Sequence, residues 1–312
     1  MDVLQKRQTL RYTVGDDDAG SRLDQFLAGR PDPVSRGVVK KLIDIGAVHV
    51  NGRRVRKCSL ALSVNDRVEV NIDGLPLSPF ELTDAVIVYQ DRHLIVLNKP
   101  AGVDSQPTPS RYKGTLYAAL SDYLQNPQRR DLRPTIGMVQ RLDRDTTGLV
   151  VFSIHQVAHR QLTHSFQQRQ VHKTYLALVG GRMEQERGEF RSLLARRRAT
   201  NLVKSVEHGG QEAITRYRTL ASTEELSYVE VEIPTGRSHQ IRAHFAEAGH
   251  PLLGDTRYGG AQLIDGPVVT RQMLHAARLQ FKHPVSGEML DFVADLPYDM
   301  KTVITRIFPE FE

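Results

Sequence analysis

A charged run at 141–148, RLDRDTTG, holds the residues whose types and spacing best suit chemistry. It places Asp143 and Asp145 among arginines and directly before the apolar stretch 149–152, which is typical of a buried strand. Charge at the edge of a core has to be paired, and a carboxylate held beside an arginine stays ionised. Such a carboxylate can act as a nucleophile or a base, although the same spacing equally suits a charged loop with internal ion pairs.

Further polar clusters fall where strands are predicted to end or helices to begin. They are Lys99, the pair Lys173 and Tyr175, and the segment Arg237–Arg242. Since catalytic groups concentrate at loops and element ends, we expect these clusters to share a cleft.

The residue types in these clusters favour one kind of chemistry. An aspartate can attack a sugar carbon or take a proton, an aromatic ring can stack on an unstacked base, and an arginine can hold a carboxylate or a phosphate. The sequence contains no HExxH, GxSxG, P-loop or paired CxxC pattern. Nucleoside chemistry without a metal or other cofactor is therefore the interpretation that remains.

Composition sets broad limits. With 312 residues the chain is long enough for two domains, and its 42 Lys and Arg against 36 Asp and Glu favour a polyanionic partner without requiring one. The single cysteine, Cys58, excludes an intramolecular disulfide and fits a reducing cytoplasm. No stretch resembles a signal peptide or reaches 18 apolar residues, so we predict a soluble, cytoplasmic protein that does not bind membranes.

The first 75 residues predict two short helices followed by small strands. Apolar residues recur at helical spacing from Leu23 and from Val38, separated by the break Pro31-Asp32-Pro33, and Asn51-Gly52 predicts a two-residue hairpin turn. A cluster of cations accompanies the second helix and the turn: Arg36, Lys40, Lys41, Arg53, Arg54, Arg56 and Lys57. The cluster suits phosphate binding, with a solvated basic face as the alternative.

This N-terminal segment resembles the S-four domain, a small RNA-binding module. The resemblance rests on Ser21-Arg22-Leu23-Asp24, on Lys40-Lys41-Leu42-Ile43, and on the glycine-strand-NG order of residues 46–52. It covers about residues 20–75. It implies that Arg36, Lys40, Lys41, Arg53 and Arg54 contact RNA.

From residue 84 the pattern changes to alternating strands and helices. Strands are predicted at 85–89, 93–98, 148–153, 174–179 and 226–233, with a late strand around Leu279 and Phe281. Helices are predicted after a Thr115 cap, around Ala158, Leu162 and Phe166, and at 238–245. Residues 126–135 predict a loop, and residues 182–212, with Arg196-Arg197-Arg198, an insertion or long hairpin.

Five motifs in the second part resemble the RluA-type RNA pseudouridine synthases. They are NKPAG at 98–102, RLDRDTTGL at 141–149, KTY at 173–175, TGRSHQIRAH at 235–244 and GDTRYGG at 254–260. The resemblance spans nearly all of 84–312. It implies that the C1′–N1 bond of a uridine is broken, the uracil turns, and C5 is bonded to C1′.

The resemblance also implies roles for individual residues. Asp143 matches the aspartate that acts on the ribose, Tyr175 the tyrosine that stacks on the base and assists removal of the C5 proton, and Arg242 the residue that pairs with the aspartate. Five further residues are expected to orient the site or contact RNA: Arg141, Arg144, Arg237, His239 and Lys99. Two departures, Gln140 where the family has histidine and the stretch 103–107, concern RNA positioning.

We therefore predict an α+β protein in which a tail (1–15), an α/β S-four-like domain (16–75) and a linker (76–83) precede a pseudouridine synthase domain (84–312). That domain is expected to have a mixed, mainly antiparallel sheet and a central cleft. The expected partner is RNA, with large-subunit ribosomal RNA favoured and transfer RNA as another choice, and we expect a monomer. An inactive RNA-binding or ribosome-assembly protein and a nucleoside hydrolase are the alternatives.

Overall fold

The computed structural model describes residues 3–31, 34–125, 128, 134–197, 200–262 and 268–311. The chain forms two compact units: Met1–Leu82 with Val103–Arg133, and Thr83–Gly102 with Pro134–Glu312. The predicted linker and the boundary at residue 84 stay predictions. The predicted break at Pro31-Asp32-Pro33, the loop 126–135 and the arginine run at 196–198 lie partly outside the described residues.

The first unit combines short helices with a four-stranded antiparallel sheet. Its helices are α1 (Leu23–Ala28), α2 (Arg36–Ile45) and α3 (Leu116–Tyr123), and its strands are β1 (Gln8–Thr13), β2 (Val48–Val50), β3 (Arg53–Arg54) and β4 (Arg67–Ile72). The strands pair in the order β1-β4-β2-β3. Asn51 and Gly52 both have positive φ, 51° and 75°, as the predicted hairpin turn requires.

The apolar residues that predicted these elements form the core of the unit. Leu23, Phe26 and Leu27 of α1 are buried together with Leu42 and Ile43 of α2. The predicted Thr115 cap is confirmed, because its side chain accepts a hydrogen bond from the Ala118 amide at 3.2 Å.

The second unit is built on an eleven-stranded mixed sheet. Its strands are β5 (Ile87–Gln90), β6 (Leu94–Lys99), β7 (Gly137–Met138), β8 (Thr147–Ser153), β9 (His172–Gly180), β10 (Arg187–Arg196), β11 (Val203–Val206), β12 (Gln211–Ser222), β13 (Leu226–Glu232), β14 (Leu274–Lys282) and β15 (Met289–Val293). Its helices are α4 (Gln156–Gln167), α5 (Gln240–Glu247) and α6 (Tyr298–Ile307). The main path is β11-β10-β12-β13-β9-β14-β8-β6-β5, and β15 and β7 pair with β14 and β8.

The predicted fold class is confirmed. Among the described strands only β8 and β14 pair in parallel, so the sheet is mainly antiparallel. Every residue of β8 is buried, as its continuous apolar and β-branched sequence predicts. The charged run 141–146 therefore leads straight into the interior of the sheet.

Helices cover the sheet through apolar contacts. Leu162 of α4 packs in one cluster with Leu149 and Val151 of β8. Val303 and Ile304 of α6 pack in another with Tyr228 of β13. Burial of each such side chain contributes about 1.5–3 kcal/mol.

Three details differ from the sequence-based expectations. The helix expected at 238–245 begins at Gln240, because His239 has a left-handed backbone with φ of 52° and cannot belong to it. The elements β7, β12, β15 and α6 were not predicted, and residues 8–13 of the predicted tail form β1. Within the described ranges, no helix has the length and apolar character needed to cross a bilayer.

Candidate active site

A cavity of about 580 Å³ opens in the second unit, beside the loop that precedes β8. Four segments supply most of its wall: residues 138–143, one side of α4, the start of β9, and the segment from Ile233 to Arg242. Asp143, Tyr175 and Arg242 all line it, so the structure brings the three predicted catalytic residues together. Arg141, Arg237 and His239 line it as well.

Arg242 holds Asp143 in place from the first turns of α5. Its Nη1 donates to Asp143 Oδ2 at 2.8 Å, while Nε and Nη2 donate to the two oxygens of Asp255 at 2.6 and 2.8 Å. Burial alone would lower the pKa of Arg242, but the hydrogen bonds and charges of Asp255 and Asp143 raise it above its ordinary value. The guanidinium is therefore a permanent positive charge behind the carboxylate.

The Asp143 side chain remains available to a reactant. It is 27% exposed, and its Oδ1 has no hydrogen-bond partner in the part of the chain that the structure describes. Its backbone carbonyl accepts from the Thr146 amide at 3.1 Å, which closes the turn that carries it. An ionised oxygen facing a cavity can attack an electrophilic carbon or take a proton.

Tyr258 and His239 surround the Arg242 guanidinium. The carbon of that group lies 4.9 Å from the centre of the Tyr258 ring, and His239 Nδ1 lies 3.0 Å from the Tyr258 hydroxyl. Burial lowers the pKa of His239 to about 4, although Asp143 opposes this. At neutral pH the imidazole is uncharged, so its 3.9 Å approach to Asp143 Oδ2 is not an ion pair.

Tyr175 presents its ring to the cavity from β9. The side chain is 6% exposed, and burial together with the charge of Asp143 raises the pKa of its phenol. The phenol is therefore protonated at neutral pH. Its ring can stack on a base. Its oxygen can accept a proton only after the hydroxyl has given up the proton that it already carries.

Lys99 fixes the loop that carries Asp143. Its side chain is fully buried, and Nζ donates to the carbonyl oxygens of Arg144 at 2.7 Å and Pro100 at 2.9 Å. Lys99 lies opposite Gly148 in the pairing of β6 with β8. Neither Lys99 nor Arg144 is among the residues that line the cavity.

The loop before α5 is fixed by the buried side chain of Gln240. Its Oε1 accepts from the Arg237 amide at 3.0 Å and from the Thr235 hydroxyl at 2.9 Å, and its Nε2 donates to the Ile214 carbonyl at 2.8 Å. Arg141 donates to the Ser238 hydroxyl at 3.4 Å. Gln140, one of the departures from the family pattern, also lines the cavity.

The basic residues predicted to bind RNA in the first unit lie outside this cavity. Lys40, Lys41 and Arg53 are exposed. Arg36 pairs with the buried carboxylate of Asp24 at 3.0 Å. Arg54 donates to the carbonyl of Thr108.

Sequence reasoning missed the roles of Asp255, Tyr258, Gln240 and Lys173. Each lies in a motif that carried the family resemblance, but none had an assigned role. Asp255 binds Arg242, Tyr258 stacks on it, and Lys173 lines the cavity next to Tyr175. Their membership of these motifs could have indicated that they matter. Their contacts with Arg242 and with the cavity are tertiary and could not be predicted from local sequence.

A second polar cluster, made of Asp91, His93 and His283, has atoms close enough to hold a metal ion. Its hydrogen bonds indicate a structural role instead. His283 Nδ1 accepts from the Ser286 amide at 2.9 Å, so its Nε2 carries the proton that it donates to Asp91 at 2.9 Å. The other Asp91 oxygen accepts from the amides of His93 and Leu94.

Comparisons with known proteins identify the kind of protein that shares this arrangement. Residues 93–247 match the family model described as RNA pseudouridylate synthase. An uncharacterised RNA pseudouridine synthase of Aquifex aeolicus is 36% identical over 90% of this chain and 92% of its own length. The ribosomal large subunit pseudouridine synthase D of Zymomonas mobilis is 34% identical over 96% of this chain and 98% of its own length.

A solved structure shares the fold. Human RNA pseudouridylate synthase domain containing 4 superposes with a TM-score of 0.57 at 24% identity, covering 72% of this chain and 93% of its own.

Proposed function

The chain belongs to the RNA pseudouridine synthase family, and we propose that it converts uridines of large-subunit ribosomal RNA to pseudouridine, with Asp143 acting on the ribose of a flipped nucleotide. Family members are isomerases that act on RNA. The choice of large-subunit RNA rests on a relative's name, which states that target for the relative. We also propose that the N-terminal S-four-like segment binds RNA and that the enzyme works as a monomer in the cytoplasm.

The observation that carries this proposal is the position of Asp143 between a permanent cation and a buried aromatic ring. Arg242 donates to one carboxylate oxygen at 2.8 Å, which holds the group in place and leaves the other oxygen to react. A base turned out of its helix would stack on Tyr175, which brings the attached ribose to Asp143.

No atom is gained or lost overall, because pseudouridine is an isomer of uridine. While the C1′–N1 bond breaks, Asp143 either attacks C1′ as a nucleophile, forming an ester bond that breaks when C5 bonds to C1′, or takes a ribose proton as a base and later returns it. The freed uracil turns between the two steps so that C5 faces C1′. The proton lost from C5 passes to solvent with help from Tyr175, and N1 gains a proton. We assign Lys99 to positioning of the Asp143 loop, because its ammonium is buried against backbone carbonyls.

The test uses RNA that carries tritium at uracil C5. We expect the wild-type protein to release tritium to water from large-subunit ribosomal RNA, and Asp143→Asn to release none, because the amide cannot attack or accept a proton. Tyr175→Phe keeps the stacking ring and loses the hydroxyl, so we expect RNA binding within about two-fold of wild type but a rate roughly 10²-fold lower or more.

Other outcomes separate the alternatives. Intact RNA binding without tritium release from any ribosomal or transfer RNA would support the inactive RNA-binding protein. Free uracil would indicate a nucleoside hydrolase. Pseudouridine maps of cells with and without the gene would identify the modified RNA.

A further inference from the structure

Lys173 lies in the cavity wall without an evident role in the chemistry described above. It stands two residues before Tyr175 on β9, so both side chains point to the same face of the strand and line the cavity. Its Nζ lies 5.7 Å from the centre of the Phe166 ring, and a Cβ placed on Gly236 would lie 3.6 Å from it. The ammonium is thus held between an aromatic ring and a glycine backbone.

A second cation, Arg237, follows Gly236 directly. Its Nε donates to the backbone carbonyl of Glu212 at 3.0 Å, which leaves its remaining N–H groups for other acceptors. Neither Lys173 nor Arg237 forms a salt bridge with a carboxylate among the described residues. Burial, with a contribution from Arg237, lowers the pKa of Lys173 to about 8.

The rest of the wall is basic as well. It carries five Lys or Arg side chains against one carboxylate: Arg141, Arg169, Lys173, Arg237 and Arg242 against Asp143. Asp143 is already paired with Arg242, and Arg169 with Glu212. Two neighbouring cations that are partly buried and form no salt bridge among the described residues are unfavourable by themselves, so the arrangement suits an anion brought by the substrate.

We propose that Lys173 and Arg237 form a subsite for one backbone phosphate of RNA, that of the nucleotide whose base stacks on Tyr175. This inference rests on the proposed function, because it takes RNA as the substrate. Two residues along a strand are about 6.6 Å apart, so one nucleotide can place its base at Tyr175 and its phosphate at Lys173. Lys173 then fixes where the ribose lies relative to Asp143.

A chemical test of the anion site does not depend on pseudouridine formation. Pyridoxal 5′-phosphate and 5′-deoxypyridoxal both form imines with neutral lysines, and borohydride makes the bond permanent, but only the first carries a phosphate. We expect the phosphorylated aldehyde to label Lys173 at least 10-fold faster than 5′-deoxypyridoxal near neutral pH. Inorganic phosphate should slow this labelling, and Arg237→Met should remove the preference. Equal labelling of Lys173 by the two aldehydes would overturn the anion site.

The RNA itself is tested with neutral methylphosphonate linkages placed singly on either side of the target uridine. We expect one of the two linkages to raise the wild-type KM about 10-fold or more, because the charged hydrogen bonds to that phosphate are lost. Lys173→Met should have a similarly raised KM on unmodified RNA. The same methylphosphonate linkage should not raise the KM of this variant further. Lys301→Met, which removes an exposed lysine of α6, should behave as wild type.

The pH dependence provides a further readout. Phosphate binding favours the charged form of Lys173, so RNA affinity of the wild type should fall as the pH rises above about 8, and Lys173→Arg should flatten this fall. If Lys173→Met responds to both methylphosphonates as strongly as wild type, the phosphate lies elsewhere and the proposal is wrong. If labelling succeeds and no RNA releases tritium, the anion site stands and the proposed reaction fails.

Discussion

Arg242 links the chemistry of the site to the stability of the unit that contains it. Its guanidinium satisfies Asp143, which faces the cavity, and Asp255, whose side chain is 1% exposed. A buried carboxylate without its partner would be an uncompensated charge in a medium of low polarity. The same residue therefore prepares the reacting carboxylate and neutralises a structural one.

Replacement of Arg242 by methionine should lower both activity and stability. We expect the free energy of unfolding to fall by about 3–5 kcal/mol, because Asp255 is left buried and unpaired. Arg278→Met is the matched control, since its partner Asp291 is 36% exposed and such pairs contribute about 0–1 kcal/mol. Urea unfolding measures both variants. Equal losses in the two would show that the burial of Asp255 has no special cost.

At the scale of residues, the sequence indicated which side chains to examine but not how they are connected. Asp143, Tyr175 and Arg242 lie far apart in the chain, and two signals predicted that they would meet: the position of their clusters at element ends, and the family motifs. The contact of Arg242 with Asp255, thirteen residues later, depends on the loop that follows α5. The buried state of Lys99 likewise depends on strand pairing that no local pattern specifies.

Among the elements, β8 decides where Asp143 lies. Gly148 has φ of 109°, and a Cβ there would lie 2.3 Å from the carbonyl oxygen of Ala276 in β14. The parallel pairing of β8 with β14 therefore requires glycine at this point. Gly148 lies five positions after Asp143, so a shift of the strand would be transmitted to the loop.

Gly148→Ala should therefore lower both the stability of the protein and its activity, although the substitution adds only one methyl group. We expect a loss of roughly 2–5 kcal/mol in stability, from a left-handed alanine together with overpacking against β14. Gly209→Ala separates the two effects, because Gly209 has φ of 74° and open space around it, and should cost only about 1–2 kcal/mol. Thermal unfolding and tritium release per folded molecule check both. If Gly148→Ala retains wild-type activity when folded, β8 does not control the loop.

Most elements were predictable because their apolar periodicity is local. The α2, α4 and β8 assignments followed from spacing, and the structure confirms them. The helix α6 was missed although Met300, Val303 and Ile304 follow helical spacing. The strand order could not be predicted, because pairings such as β9 with β13 and β14 join distant segments.

For the whole chain, the two units each contain charges that suit RNA, but they differ in how those charges are held. In the second unit, Lys173 and Arg237 are half-buried and Arg242 is buried, whereas Lys40, Lys41 and Arg53 of the first unit are exposed. The first unit also includes 103–133, whose Arg111 forms a buried ion pair with Asp73 at 2.6 Å. Such a discontinuous unit is hard to predict from linear order, and deletion of the N-terminal segment would leave Arg111 without its partner.

Substitution of exposed cations is therefore the better test of RNA binding by the first unit. A triple variant that replaces Lys40, Lys41 and Arg53 with glutamine should fold normally. Each phosphate contact contributes about 0.7–0.9 to the slope of log affinity against log salt, so loss of three contacts should reduce that slope by about 2–3. Its control replaces three exposed cations of the second unit: Lys282, Lys301 and Arg306.

The measurement is RNA affinity at several salt concentrations for wild type and both triple variants. A lower slope in the first variant alone means that the basic face of the first unit meets the phosphate backbone, because counterion release counts the phosphates that a protein neutralises. Equal slopes in all three proteins would mean that this face is merely solvated. RNA binding would then depend on the second unit, where Lys173 and Arg237 line the cavity that contains Asp143.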